Sequence, residues 1–208
     1  MYYTFFRRKY IIMPMTEVIE IKRKEFTILE HLGEHSFKVE RKGKIYFLKK
    51  YPNRDSFEQF VKNYRRLKIT ALNVPKLYLF DKNQLISVVD FIEGPTMLDE
   101  LLKADITNED IYKLLLQQEW CMRREKIRID FAPENFKFDG KKLFYLPFKM
   151  GTFESNYNFT MVDFRLWFPT KQFAAYVRSK GLEYDDKRTG NEYAVNKQIA
   201  LIAVKYYL

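Results

Sequence analysis

The stretch Asp130-Phe131-Ala132-Pro133-Glu134-Asn135 places an acid, a proline and an asparagine in one short polar turn. A long helical pattern comes before it, because apolar residues between Ile111 and Met122 recur at helical spacing. An apolar strand pair follows it, with Asp139-Gly140 as a two-residue hairpin signal. The sequence therefore predicts a loop that two regular elements hold in place, and the rest of the chain is organised around it.

The first half of the chain is rich in short segments typical of β-strands. They are predicted at residues 18–21, 26–29, 37–41, 45–51, 77–80 and 85–91. One helix is predicted over residues 57–70, with Asp55 or Ser56 as its N-cap. The sequence Glu93-Gly94-Pro95 is a strong break that ends this half.

The second half is predicted to be mainly helical. Helices are expected at residues 98–102, 162–168, 170–179 and 192–207. A longer helix is expected to begin after an N-cap at Thr107. Trp120 and Trp167 lie within these apolar patterns, so both are predicted to be core residues. Strands with one helix, then a break, then helices indicate an α+β fold in two lobes.

Composition limits the class of protein. The chain has 208 residues, of which 47% are hydrophobic, enough for a packed core. A single cysteine excludes an internal disulfide framework, and two histidines leave too few soft ligands for a structural zinc site. A reducing, cytoplasmic location fits best. No apolar run is long enough to cross a bilayer, and residues 1–15 are predicted to be an N-terminal extension.

The net charge of +10 can attract phosphates, nucleic acid or an anionic membrane surface. Lysines are scattered along the whole chain, however, and no basic block of five residues occurs. This scatter disfavours a dedicated nucleic-acid surface, so nucleic acid is the weakest of the partner predictions.

The turn and its surroundings carry a resemblance to a known family. Asp130 and Asn135, with Pro133 between them, resemble the catalytic loop of the protein-kinase-like fold. The resemblance implies that Asp130 would accept the proton of a substrate hydroxyl and that Asn135 would hold a magnesium ion. It also implies ATP as the phosphate donor.

Other segments match in register. Gly33 begins a stretch that resembles the glycine-rich loop over the phosphates, and Tyr46-Phe47-Leu48-Lys49 resembles the strand with the phosphate-binding lysine. Either Lys49 or its neighbour Lys50 could be the inward one if the register slips. Asp90 and Ile92 fall in a segment similar to the hinge whose backbone binds adenine. Asp163 resembles the buried acid that braces the catalytic loop.

Several positions depart from the family pattern. Pro147 stands where the metal-binding aspartate is expected, and Lys149 brings positive charge where a glycine is usual. Asn63 occupies the place of the helix glutamate that pairs with the lysine. Phe47 falls where a small residue faces adenine, so it could fill the pocket.

The resemblance implies two lobes, an N-lobe over residues 16–93 with a small antiparallel sheet plus one helix, and a shortened helical C-lobe over residues 94–208. The first hypothesis is a degenerate, pseudokinase-like protein that acts mainly by binding a protein partner, with weak or no nucleotide binding. The departures weigh against both ATP and magnesium as cofactors.

Two alternatives stay open. One is an active, atypical ATP-dependent phosphotransferase that uses Asp130 as base and Asn135 for magnesium. Its substrate would be small or anionic, since the chain is similar to small bacterial and archaeal kinases, including those that phosphorylate lipopolysaccharide core sugars. The other is a basic nucleic-acid-binding protein, for which charge is the support.

Overall fold

A computed structural model describes residues 17–70, 72–106, 108–157 and 159–207 of the chain. The fold is α+β. The elements in chain order are β1 (Val18–Ile21), β2 (Lys24–Gly33), β3 (Ser36–Arg41), β4 (Lys44–Lys50), α1 (Arg54–Lys68), β5 (Leu77–Asp81), β6 (Ile86–Asp90), α2 (Met97–Lys103), α3 (Glu109–Glu125), β7 (Phe136–Phe138), β8 (Leu143–Tyr145), α4 (Lys171–Ser179) and α5 (Glu192–Tyr207). The predicted N-terminal extension and the predicted cap Thr107 lie outside the described residues.

The first six strands form one antiparallel sheet in the order β1-β2-β3-β4-β6-β5. In β4, Tyr46 and Leu48 are buried in a cluster within the sheet half of the chain. The intervening Phe47 lies on the other face, against the main core. Lys49 follows Phe47 on that same face, because side chains alternate along a strand.

Helix α1 packs against the face of the sheet that carries Phe47. It begins at Arg54, three residues before the predicted start, because Asn53 caps it with a side-chain bond from the Ser56 amide at 2.9 Å. The predicted caps Asp55 and Ser56 are therefore wrong and lie inside the first turn. Its buried face includes Phe60, Tyr64 and Leu67, which join the main core.

Helices α3 and α5, Met97 of α2 and the β7–β8 hairpin contribute buried side chains to the main core. Helix α4 packs against α2 in a separate cluster, formed by Leu98, Leu101, Phe173 and Val177. Residues 162–168 were predicted to be one helix, but the chain forms short 3-10 turns at Phe159–Met161 and Phe164–Trp167. Trp167 is 0% exposed, as predicted. The core prediction for Trp120 is wrong, because its side chain is 53% exposed and lies under the Arg124 guanidinium at 4.9 Å.

No helix in the described part of the chain has the length and apolarity that a membrane crossing requires.

Candidate functional site

The predicted catalytic turn closes on itself through the side chains of its two polar ends. An Asp130 carboxylate oxygen accepts from the Ala132 amide at 3.0 Å, and the Asn135 amide group donates to the Asp130 carbonyl at 3.2 Å. A 3-10 turn spans Pro133–Asn135 between them. Asp130 remains exposed, whereas Ala132 and Pro133 are buried. The turn therefore presents one carboxylate to solvent on a fixed backbone.

Buried groups brace this turn at Phe131. The Asp163 carboxylate accepts from the Phe131 amide, and the Trp167 indole donates to the Phe131 carbonyl at 2.9 Å. Tyr157 donates its hydroxyl to Asp163. Burial raises the pKa of Asp163, and the nearby negative charge of Asp130 adds to the effect. These contacts fix both backbone groups of the residue that follows Asp130.

A third brace holds the turn from α4. Glu134 accepts a hydrogen bond from the Tyr176 hydroxyl and another from Lys180 at 2.8 Å. Burial opposes ionisation of Glu134, yet the bonds from Lys180 and Tyr176 outweigh it and hold its pKa below the ordinary value. No local sequence pattern predicts this contact, since Glu134 and Tyr176 are 42 positions apart.

The predicted phosphate-binding lysine lines a cavity of about 410 Å³. Lys49 is half-buried there while Lys50 is exposed, so Lys49 is the inward lysine of the pair. Lys149 lines the same cavity, and none of the lining residues is acidic. Burial lowers the pKa of Lys49, and the charge of Lys149 lowers it further. The cavity thus carries two ammonium groups and no carboxylate.

Asn63, in the place that the resemblance gives to a carboxylate, bonds to the segment after β8. Its side chain donates to the Phe148 carbonyl at 3.0 Å and accepts from Gln59 at 2.6 Å. The Phe148 ring lies 5.5 Å from Phe60 and 5.7 Å from Tyr64, so it fills the space beneath α1. Phe148 has φ 52°, a backbone conformation that L residues rarely adopt and that these contacts must hold.

Pro147 lies beside Phe148 and lines the same cavity as Lys49. The Tyr145 hydroxyl donates to the Lys149 carbonyl at 3.0 Å. Burial raises the pKa of Tyr145, whereas a hydrogen bond with the Asp130 backbone lowers it, so the Tyr145 hydroxyl lies between the turn and Lys149. The predicted departures at Pro147, Lys149 and Asn63 therefore meet at one place in the fold, next to the turn that carries Asp130.

The predicted adenine edge has other partners. Asp90 pairs with Lys44 at 2.8 Å, and that bond raises the pKa of Lys44. The Ile92 carbonyl accepts from Lys137 at 3.1 Å. Lys137 is half-buried in β7, and burial lowers its pKa. Sequence reasoning missed Lys137, although a lysine between two phenylalanines in an apolar strand is a signal that could have drawn notice.

Phe91, which lies between Asp90 and Ile92, has two lysine ammonium groups near its ring. Lys38 lies 4.7 Å and Lys137 lies 5.3 Å from the centre of its ring. Such contacts over an aromatic face are favourable by about 0.5–1 kcal/mol at exposed sites. The hinge-like segment is thus tied to both β3 and β7 by contacts within the chain.

Gly33 ends β2 and pairs with Ser36 across a two-residue turn. Its φ is outside the left-handed region, and a Cβ placed there would meet nothing within 4 Å. Neither the backbone nor its neighbours therefore require glycine at this position. Gly33, Asp90 and Ile92 do not line the cavity that contains Lys49.

The side chains at the turn do not fit a magnesium ion. Asn135 keeps its side-chain oxygen as one ligand atom, since its amide nitrogen makes the bond within the turn, but Pro147 has no ligand atom and Lys149 carries positive charge. Among the described residues, no group of three or more His, Cys, Asp or Glu side chains is arranged to hold a metal. What the arrangement offers instead is an exposed carboxylate near a doubly cationic cavity.

We compared the sequence with known protein families and with curated proteins. No family model matches it, and no curated protein matches it either.

Proposed function

We propose that this chain is a kinase-like protein that does not transfer phosphate and acts by binding a protein partner. In this proposal residues 16–93 are an N-lobe, residues 94–208 are a shortened C-lobe, and the cavity with Lys49 lies in the cleft between them. Nucleotide binding is weak or absent. The compartment we propose is the cytoplasm.

One observation carries the proposal: Lys49 and Lys149 share a cavity that no acidic residue lines. Transfer of a phosphoryl group requires metal ions that neutralise the developing charge and hold both phosphates. Carboxylates are the ligands that hold such ions. Pro147 stands where the family has its metal-binding aspartate, and Lys149 adds positive charge beside it. Asp130 would therefore lack the metal ion that accompanies a catalytic base in this reaction.

Two further contacts support weak nucleotide binding. Phe47 lines the cavity from the sheet, so in this proposal its ring would compete with an adenine for that space. Lys137 bonds to the Ile92 carbonyl, so a nucleotide that used this edge would have to displace a half-buried ammonium group. Each displacement removes a contact that the unbound protein already makes.

A second candidate is an atypical phosphotransferase acting on a small or anionic substrate. The observation in its favour is Asp130, whose carboxylate is exposed on a turn that Asp163 and Trp167 brace. A fixed, exposed carboxylate has the geometry of a general base. In this candidate Asn135 would hold the magnesium ion, and Lys49 and Lys149 would supply further positive charge at the phosphates.

Thermal unfolding with ATP or ADP, with and without magnesium, separates the two. A ligand at 100 times its dissociation constant stabilises a protein by about 2.7 kcal/mol. We expect no magnesium-dependent rise in the unfolding temperature. A magnesium-dependent rise that disappears in Lys49→Ala but persists in the exposed neighbour variant Lys50→Ala would overturn the proposal and favour the phosphotransferase.

A direct assay of phosphate release from ATP completes the test. We expect the same background rate for the natural protein and for Asp130→Asn. A rate that falls by about a hundredfold or more in Asp130→Asn, the range for loss of a general base, would establish catalysis at this turn.

A further inference from the structure

The outer side of α1 forms a groove with residues from three other parts of the chain, Lys82, Ile127 and Met150. The groove has a volume of about 750 Å³, the size of a ligand site rather than of a packing defect. Val61, Ile127 and Met150 contribute apolar side chains to it, and Ile69 at its end is 69% exposed. We call this feature the α1 groove. An aliphatic surface of this kind stays in water unless another molecule covers it.

The edge of the α1 groove is strongly basic. Lys62, Arg65 and Lys82 line it, and within the described residues none of these three side chains makes an ion pair or a hydrogen bond. Arg66 lines it as well, with its guanidinium bonded to the Glu125 carbonyl at 3.0 Å. Glu58 is the one acidic residue among those that line the groove.

Charge decides which occupant fits. Residues 1–16 of this chain contain Arg7, Arg8 and Lys9 and no acidic residue, so this segment would be repelled by the rim. A second copy of the chain carries the same net charge of +10, which opposes its approach to a basic surface. The occupant must therefore come from another molecule, and it must be acidic.

The floor decides the class of that molecule. Val61, Ile127 and Met150 are aliphatic, and Phe57, the aromatic residue of the lining, is 1% exposed and offers no free face for stacking. The Arg65 and Arg66 guanidinium groups can meet phosphates as well as carboxylates, but a nucleic acid has no aliphatic side chains to cover this floor. An amphipathic helix can offer apolar side chains at a spacing of three and four residues on one face and carboxylates on either side. That arrangement complements an aliphatic floor with a rim of cations.

We propose that the α1 groove binds an acidic amphipathic peptide segment of a partner protein. Aliphatic side chains of the peptide would contact Val61, Ile127 and Met150, and its carboxylates would pair with Lys62, Arg65 and Lys82. This inference rests on the proposed function and gives it a partner class and a surface. The groove lies on α1 but shares neither Lys49 nor Lys149, so its occupancy can be measured apart from nucleotide binding.

The probe is a fluorescein-labelled synthetic helix with leucines along one face and glutamates elsewhere, titrated with the full chain and followed by anisotropy. A second peptide replaces the leucines by serine, and a labelled single-stranded DNA of equal charge serves as the polyanion. No nucleotide or magnesium is present. We expect saturable binding of the leucine peptide, and binding at least about tenfold weaker for the serine peptide, since the buried leucines supply the apolar contacts.

Variants locate the binding site. Arg65→Glu should weaken binding of the leucine peptide by about tenfold or more, because it places a like charge against the peptide. The matched control Lys68→Glu makes the same charge change on an exposed residue of α1 that does not line the groove, and should change binding by less than about threefold. Val61→Ser tests the floor without changing charge, and its thermal unfolding shows whether it is folded.

Three results would overturn the inference. They are no binding of the leucine peptide, equal weakening by Arg65→Glu and Lys68→Glu, and binding of the serine peptide and the DNA that is as tight as that of the leucine peptide. The last result would identify a polyanion surface and favour nucleic acid. A magnesium-dependent response to ATP would overturn the proposed function but would leave a peptide result at the α1 groove intact.

Discussion

Replacing Trp167 by phenylalanine tests whether the Asp130 turn is held by its buried brace. Trp167 is fully buried, and its indole nitrogen donates to the Phe131 carbonyl at 2.9 Å. Its ring also meets the Phe136 ring edge-on, with centres 5.5 Å apart. Phenylalanine keeps an aromatic ring in the core but removes the hydrogen-bond donor.

The expected loss of stability has two parts. A buried carbonyl left without its donor costs about 1–3 kcal/mol. The smaller ring leaves a cavity, which adds about 1 kcal/mol. We therefore expect the free energy of unfolding of Trp167→Phe to fall by about 2–4 kcal/mol, a large part of the total for a domain of ordinary stability.

Urea denaturation measures this loss, and the chain supplies its own control. Trp120 is 53% exposed, and its one described ring contact is with the Arg124 guanidinium. Trp120→Phe should change the free energy of unfolding by less than about 0.5 kcal/mol, as surface substitutions do. The fluorescence of Trp167→Phe should report an exposed tryptophan, and that of Trp120→Phe a buried one.

Equal losses in the two variants would refute the reasoning. The Phe131 carbonyl would then have found another partner, and Trp167 would not be what positions the residue after Asp130. A small loss together with red-shifted emission from Trp120→Phe would mean that Trp167 itself is accessible to water.

Three smaller predictions follow from single residues. Lys49→Met removes a half-buried charge beside Lys149, so it should add about 0.5 kcal/mol of stability at neutral pH, after allowance for solvent screening. Because the folded-state pKa of Lys49 is lowered, the unfolded chain binds more protons between that pKa and 10.5. As the pH rises through this range, the free energy of unfolding of the natural protein should therefore increase relative to that of Lys49→Met, as measured in urea titrations. Gly33→Ala should change the free energy of unfolding little in urea denaturation. A decrease of more than about 1 kcal/mol would contradict the open geometry there. Asn53→Ala should cost about 1 kcal/mol in urea denaturation, and more than Asp55→Ala, because Asn53 is the cap of α1.

The sheet could be predicted from the sequence because its signals are local. Its strands are short segments rich in residues typical of β-strands, and such composition can be read without knowing the rest of the fold. The start of α1 could not be placed, because Asn53, Asp55 and Ser56 are all good caps within four residues. Which of them accepts from a backbone amide depends on the path of the chain, and that path is set by the packing of the helix against the sheet.

The sequence also could not show whether a helix residue next to a buried one points to the core or to solvent. Trp120 precedes the buried Cys121 on α3, yet a single step along a helix turns a side chain by about 100°. That step is enough to carry the indole from the core to solvent. The long-range contact of Lys137 with Ile92 spans 45 positions, and no local pattern reports it.

The form of the Asp130 turn carries less functional weight than the residues beside it. Asp163, Trp167 and Glu134 hold the turn through contacts that involve no ligand, so the turn would keep its shape whether or not the protein transferred phosphate. A reaction would instead depend on the neighbouring cavity, which Lys49 and Lys149 line. Lys149 there repels the very cation that phosphoryl transfer needs, and for this reason the proposed function follows from the cavity and not from the loop.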